Sequence, residues 1–275
     1  MYSKNKISIV VVTYHNDFIL LNRLLRSIQQ HWKITDIEEI VIILNDPTKY
    51  LEQLNKIVKK SLKKQFSYKI ETIHSIAPDL VPHYNWNSQQ TLKCLSCDLV
   101  NTDWYIIHDS KDYYIDNVEM SDIFDENGKA TVHLDHTRHP SDSRIPPVPG
   151  STWPPGPFSM ALENSFKIFD IDPSDHKAIH FPTTTPFIVK TQIMRNMVED
   201  TKRMTKHFFN FLFAMQLDGQ CVITEFLLYG AYCYKTTKYR DYVNWNSNNR
   251  TYYKKVNQSK DLRIQQHEPL NAGRK

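Results

Sequence analysis

Glycine is scarce in this chain: its 275 residues include six, and the first is Gly128. A dinucleotide-binding turn or a P-loop needs glycines so that backbone N–H groups can approach a phosphate closely. Neither motif fits in the N-terminal half, so a nucleotide held there must have its phosphates neutralised by side chains or by a metal. Cysteine is also rare, and four in so long a chain make no disulfide scaffold. Cys94 and Cys97 form a CxxC inside a helical pattern, without a second CxxC or a nearby histidine pair. They read as two small core residues rather than a zinc or redox site. No apolar run approaches the ~20 residues that span a bilayer. The opening MYSKNKISIVVVTY enters a strand-like run directly, without a signal-peptide pattern. A reducing, cytoplasmic setting is expected.

Charge excludes a further class. The net charge is only +4, and basic residues are not interleaved with aromatic platforms, so nucleic acid is not an expected partner. The one dense basic run, Lys56 to Lys64, accompanies Leu51, Leu54, Val58 and Leu62 at helical spacing. It reads as a solvated helix face, or as a peripheral contact with an anionic membrane surface or partner.

What is present is a regular alternation. Residues 7–14 (ISIVVVTY) and 39–44 (EIVIIL) are continuous apolar runs of the kind buried on both faces of a parallel sheet. Between them, Phe18, Leu21, Leu24, Leu25 and Ile28 repeat at helical spacing, with Asn16 or Asp17 as a cap. A helix over about 48–64, a strand near 68–74, a helix from about 88 to 99 and a strand over 104–108 follow. This β-α-β-α-β-α-β order predicts an α/β fold with an open, mostly parallel, doubly wound sheet. Ligands of such sheets sit beyond the carboxyl ends of the strands. Here those ends are Thr13–Asp17, Asn45–Asp46 and His108–Asp112, all polar or acidic.

The second half is less regular. A strand over 130–134 leads into a proline-rich loop, residues 138–157, in which Trp153 either stacks on a sugar ring or serves a rigid crossover. Helices are expected over 160–169, 191–199, 201–216 and 224–234, the last capped by Thr224, and a strand over 186–190. The aromatic run 208–213 reads as core. After about residue 240 the chain turns polar and loses its pattern.

Asp109 closes a buried strand, where a carboxylate needs a cation or solvent. Asp112 lies three residues on, and Lys111 between them suits a phosphate. The segment WYIIHDSKDYYI resembles the strand-plus-DxD element of GT-A-type glycosyltransferases. ISIVVVTYHND resembles their first strand and loop, and IVIILNDP their second strand with its base-contacting acid. Trp86, Gln89, Gln90 and Lys93 match a Trp-x-x-Gln-Gln-x-x-Lys helix pattern of bacterial and viral polysaccharide glycosyltransferase-like proteins. The segment TEFLLYG, residues 224–230, resembles a late segment of that family in which the acid lies near the acceptor, and FPTTTPF, residues 181–187, its Thr-Pro strand entry.

The resemblance implies a GT-A-like, Rossmann-like fold, with residues 1–120 as the nucleotide-sugar-binding half, 121–240 as the acceptor-side half and 241–275 as a polar tail. It implies a glycosyltransferase that moves a sugar from a nucleotide-diphosphate donor to a glycan hydroxyl with inversion. Thr13, Asp17, Asn45, Asp46, Gln89, Lys93 and Lys111 would hold the donor. Asp109 and Asp112 would hold Mn²⁺ or Mg²⁺, Glu225 would be the acceptor base, and Trp153, Thr185 and Tyr229 would lie on the acceptor side. One position departs from the pattern. Lys111 stands where the second aspartate of DxD is expected, so either Asp112 substitutes for it or Lys111 neutralises the charge itself. The same departure leaves open a glycosyltransferase-like module that only binds carbohydrate or nucleotide. A nucleotidyltransferase is disfavoured because it relies on an N-terminal Gly-rich loop. Among the histidines, His108 is better placed for a site than His139, His176 or His180.

Overall fold

The computed structural model describes residues 6–62, 66–81, 84–131, 157–172, 185–205, 223–243 and 253–255. Strand β1 (Ile7–Thr13) is buried at every position. The helix α1 that follows (Phe18–His31) buries Phe18, Leu21, Leu24, Leu25 and Ile28, the residues its spacing singled out. Asp17 stands at the N-cap of α1, but its side chain makes no capping bond there and instead bonds the Tyr14 hydroxyl. Strand β2 (Ile37–Leu44) and helix α2 (Leu51–Leu62) come next. In α2, Leu54, Val58 and Leu62 face inward while Lys56, Lys59 and Lys60 are exposed, the amphipathic division expected of a surface helix.

Strand β3 (Tyr68–Thr72) stops two residues before its expected end. Thr72 accepts a bond from the Ser75 amide, Ser75 accepts one from the Thr72 amide, and this capping box starts the short helix α3 (Ile73–Ile76). Helix α4 (Trp86–Leu95) continues into a single tight turn over Ser96–Asp98, and strand β4 (Trp104–Asp109) follows. Short elements then lead away: β5 (Asp112–Tyr114), α5 (Met120–Ile123) and β6 (Ala130–Thr131). Helix α6 (Pro157–Ile168), strand β7 (Phe187–Lys190), helix α7 (Thr191–Thr205) and helix α8 (Glu225–Lys235) complete the frame. Two helices were expected over 191–216, but residues 191–205 form one continuous helix. Residues 206–216, with the aromatic run 208–213, lie outside the described residues. So do Trp153, His139, His176 and His180.

The main sheet has the order β3-β2-β1-β4-β7. The first four strands are parallel, and β7 runs antiparallel on the β4 edge. This is the α/β architecture the alternating pattern predicts. Helices α1 and α2 pack together, and α4 packs with α7 and α8. The chain winds outward from β1 through β2 to β3, then crosses back to place β4 on the other side of β1. That reversal makes the carboxyl ends of β1 and β4 the switch point of the sheet, where ligands of open α/β sheets sit.

Two short pieces of the segment read as a polar tail join the fold. Strand β8 (Tyr242–Val243) pairs in parallel with β6, and β9 (Tyr253–Lys255) pairs antiparallel with β5. Runs of two or three residues are too short to show a period, so nothing in the sequence marked them as strands.

Candidate functional site

Strand register decides which side chains meet at the switch point. Val12 of β1 lies opposite Asp109 of β4, so the residues just beyond them are neighbours. Ser110 Oγ donates to Thr13 Oγ1 at 2.9 Å, and both residues are buried. Thr13 O accepts the Asn45 amide at 2.8 Å. Thr13 therefore ties the three strand ends together and does not project towards a ligand.

Asn45 and Asp46 are also engaged from within. Asn45 Oδ1 accepts from Ser88 Oγ at 3.0 Å, and Asn45 Nδ2 donates to Asn85 O at 3.1 Å. Asn85 in turn caps α4 by accepting from the amides of Asn87 and Ser88. The end of β2 and the start of α4 are thus one hydrogen-bonded unit. Asp46 Oδ2 accepts from the His15 amide at 2.5 Å and lies 2.9 Å from His15 Nδ1, which makes Nδ1 the donor. The His15 ring stacks on Tyr50, with centroids 4.2 Å apart and planes inclined by 3°. The resemblance implies a base contact for Asp46; in this structure its carboxylate holds His15 of a histidine–tyrosine stack. His15 lay within the quoted first loop, but its pairing with Tyr50 crosses two elements and left no local signal.

The centre of the site is a chain of alternating charges. Lys93 is 3% exposed. Its Nζ donates to Asp109 Oδ1 and to Glu225 Oε1, both at 2.9 Å, and lies 5.1 Å from the centroid of the Phe226 ring. Lys111 Nζ is 3.3 Å from Asp109 Oδ2. The order is Glu225, Lys93, Asp109, Lys111, running from the core to the crevice, where the Lys111 side chain is 40% exposed. Burial alone would lower the Lys93 pKa, but the carboxylates of Asp109 and Glu225 outweigh it and hold the ammonium above its usual range. Burial raises Glu225, against the pull of Lys93. Asp17 faces the same space. Burial raises its carboxyl too, with Lys111 and Asp109 acting on it in opposite directions.

Gln90 completes the inner network. Its amide, oriented to satisfy both of its polar atoms, donates to the Glu225 carboxylate and accepts from Trp86 Nε1 at 3.2 Å. Trp86 is 48% exposed at the start of α4, so its ring is open to solvent while its N–H is held. Gln89, expected to act with Lys93, is half-buried, and Lys93 turns from it towards Asp109 and Glu225. The Trp-x-x-Gln-Gln-x-x-Lys spacing thus found the right helix, and Gln90 rather than Gln89 joins the network.

Several expected roles change. Glu225 starts α8 behind its cap Thr224, whose Oγ1 accepts the Leu227 amide at 3.3 Å. At 3% exposed, Glu225 is buried against Lys93 as its counter-ion. Tyr229 is fully buried; its hydroxyl accepts the Lys190 amide at 3.0 Å and meets Tyr242 Oη, so it braces β7 instead of facing an acceptor. Thr185 is buried at the edge of the described residues.

Asp112 turns inward as well. Its Oδ2 accepts the Asp109 amide at 3.2 Å and lies 3.3 Å from His108 Nδ1, while His108 Nε2 pairs with Tyr114 Oη at 2.6 Å. Both oxygens of Asp109 thus face ammonium groups, while Asp112 Oδ1 is buried without a hydrogen-bond partner. Cys94 and Cys97 are free and buried. Burial pushes the Cys97 thiol up to about 12, which makes it an inert core residue.

Among the described residues no helix is long and apolar enough to cross a membrane. No curated protein matches the chain. A family model matches residues 4–269, nearly its whole length, and the protein belongs to that family, described as Family of unknown function (DUF6492).

Proposed function

We propose that the crevice beyond β1, β2 and β4 binds a nucleotide-sugar donor, and that the protein is a glycosyltransferase acting on a glycan hydroxyl. The observation that carries this reading is the pairing of Asp109 with Lys111 at the switch point of the sheet, beside the turn after β1 that ends in Asp17. The polar strand ends supply a ligand site of the kind that open α/β sheets build there. The resemblance of the chain's ordered segments to GT-A-type glycosyltransferases supplies the chemistry. The His15–Tyr50 stack offers a flat surface for a nucleobase. Asp109 and Lys111 face the diphosphate. Trp86, exposed and fixed through its N–H, offers a ring on which a saccharide can lie. The work of such a site is to orient donor and acceptor and to stabilise the charge that grows on the leaving diphosphate.

A second reading is a module that binds carbohydrate or nucleotide without turnover. The burial of Glu225 against Lys93 favours it, because it removes the residue expected to take the acceptor proton. One screen separates the two. UDP-, GDP- and CMP-sugars are tested for binding and hydrolysis on the wild type and on Asp109→Ala. Turnover lost in Asp109→Ala supports the transferase. Binding without turnover supports the module. No binding of any donor disposes of both.

A further inference from the structure

A carboxylate serves a divalent cation when its oxygens face open space shared with other oxygen ligands. Asp109 does not meet that condition. Lys93 sits on Oδ1 at 2.9 Å and Lys111 faces Oδ2 at 3.3 Å. Lys93 is fixed there, since it is buried, bonded also to Glu225 and packed over the Phe226 ring. A dication approaching Asp109 meets one immovable ammonium and one mobile one. Asp112 gives little help: its Oδ2 accepts the Asp109 amide and lies against His108, and its Oδ1, although without a hydrogen-bond partner, is shut away from solvent.

Among the described residues, Lys111 is the half-exposed cation next to Asp109. It stands on the turn directly after β4, half-exposed, with Asp109 on one side and Asp17 close enough to feel its charge. An ammonium on a flexible stem is a point charge well suited to phosphate oxygens. When Lys111 swings to a phosphate, Asp109 Oδ1 keeps its bond from Lys93 Nζ at 2.9 Å, an ammonium it shares with Glu225. A lone Asp–Lys pair would lack that reserve.

We infer that Lys111 takes the place of the divalent cation, so that nucleoside diphosphates bind this crevice on a lysine ammonium and without metal. The inference rests on the nucleotide-sugar reading, and its test separates the two. The full chain is titrated calorimetrically with UDP and GDP, in chelator and in excess Mn²⁺ or Mg²⁺, as wild type, Lys111→Met and Lys111→Arg. The expected affinity of the wild type is the same with chelator as with metal, to within about twofold. Losing a charge-assisted contact should weaken Lys111→Met by roughly ten- to hundredfold, while Lys111→Arg keeps most of the affinity. Because Lys111 is half-exposed, Lys111→Met should fold, and a melting curve checks it; the chelator arm needs no variant at all. Binding that collapses in chelator, or Lys111→Met binding as the wild type does, overturns the inference and leaves the nucleotide-sugar reading standing. Absence of binding to either diphosphate under every condition overturns both.

Discussion

A lysine as buried as Lys93 keeps its charge only where carboxylates compensate for the water it has lost. Here two carboxylates share it, so removing the ammonium should cost more than removing either partner. Lys93→Met would leave Asp109 and Glu225 facing each other across an apolar gap. An uncompensated buried charge costs about 3–5 kcal/mol, and urea unfolding of Lys93→Met against the wild type should show a loss of that order. A loss below about 1 kcal/mol, the usual range for exposed pairs, would mean that the buried network contributes little. Glu225 provides a second test through pH. Its pKa is raised above the usual 4.5 by burial, so the native state holds more protons than the unfolded state between 4.5 and the raised value. Stability from this group is therefore fully present below its unfolded pKa and is lost as pH rises through the folded one. Glu225→Gln, which cannot titrate, should gain less stability than the wild type as pH falls from neutral towards 4.5. Parallel pH profiles of the unfolding midpoint for the two proteins would contradict this.

At the level of elements, the strands were legible wherever burial on both faces left a continuous β-branched run, as in IVVV of β1 and IVII of β2. The helices α1 and α2 were legible from their apolar spacing. The edge strand β3 is only half-buried along its length, and its end was misjudged because the capping box at Thr72 and Ser75 depends on side-chain bonds rather than on a period. The start of α4 is the element boundary with the most direct bearing on the site. Asn85 caps the helix, and its backbone oxygen binds the Asn45 side chain at the end of β2. Asn85→Ala should lose about 1 kcal/mol of stability, the usual worth of such a cap. It should also loosen Asn45 and, next to it, the Asp46–His15–Tyr50 stack. Thermal melting together with nucleotide titration checks both parts. A lowered melting temperature with unchanged nucleotide affinity would confine the cap to stability.

Across the whole molecule, the site could be read from sequence only to the extent that its residues lie on one stretch of chain. The strand ends at Thr13, Asn45 and Asp109 follow from the β-α-β order. The partnership of Lys93 with Glu225 spans 132 positions, and no spacing rule connects them; only a resemblance marked both residues, and it did not pair them. The same holds for β9. Its pairing with β5 places Lys255 opposite Asp112, so a piece of the polar segment near the C-terminus supports the strand next to Lys111. Ending the chain after residue 243 would leave β5 as an unpaired edge. Each ladder hydrogen bond is worth about 1 kcal/mol net, so the loss should be about 1–3 kcal/mol, seen as a melting temperature lower by a few degrees. If β9 holds the Asp109–Asp112 turn in shape, the shortened chain should also bind nucleoside diphosphate more weakly, while the His15–Tyr50 stack, in the turns after β1 and β2, keeps its place. A shortened chain that melts and binds as the full one does would show that the site is complete without this strand.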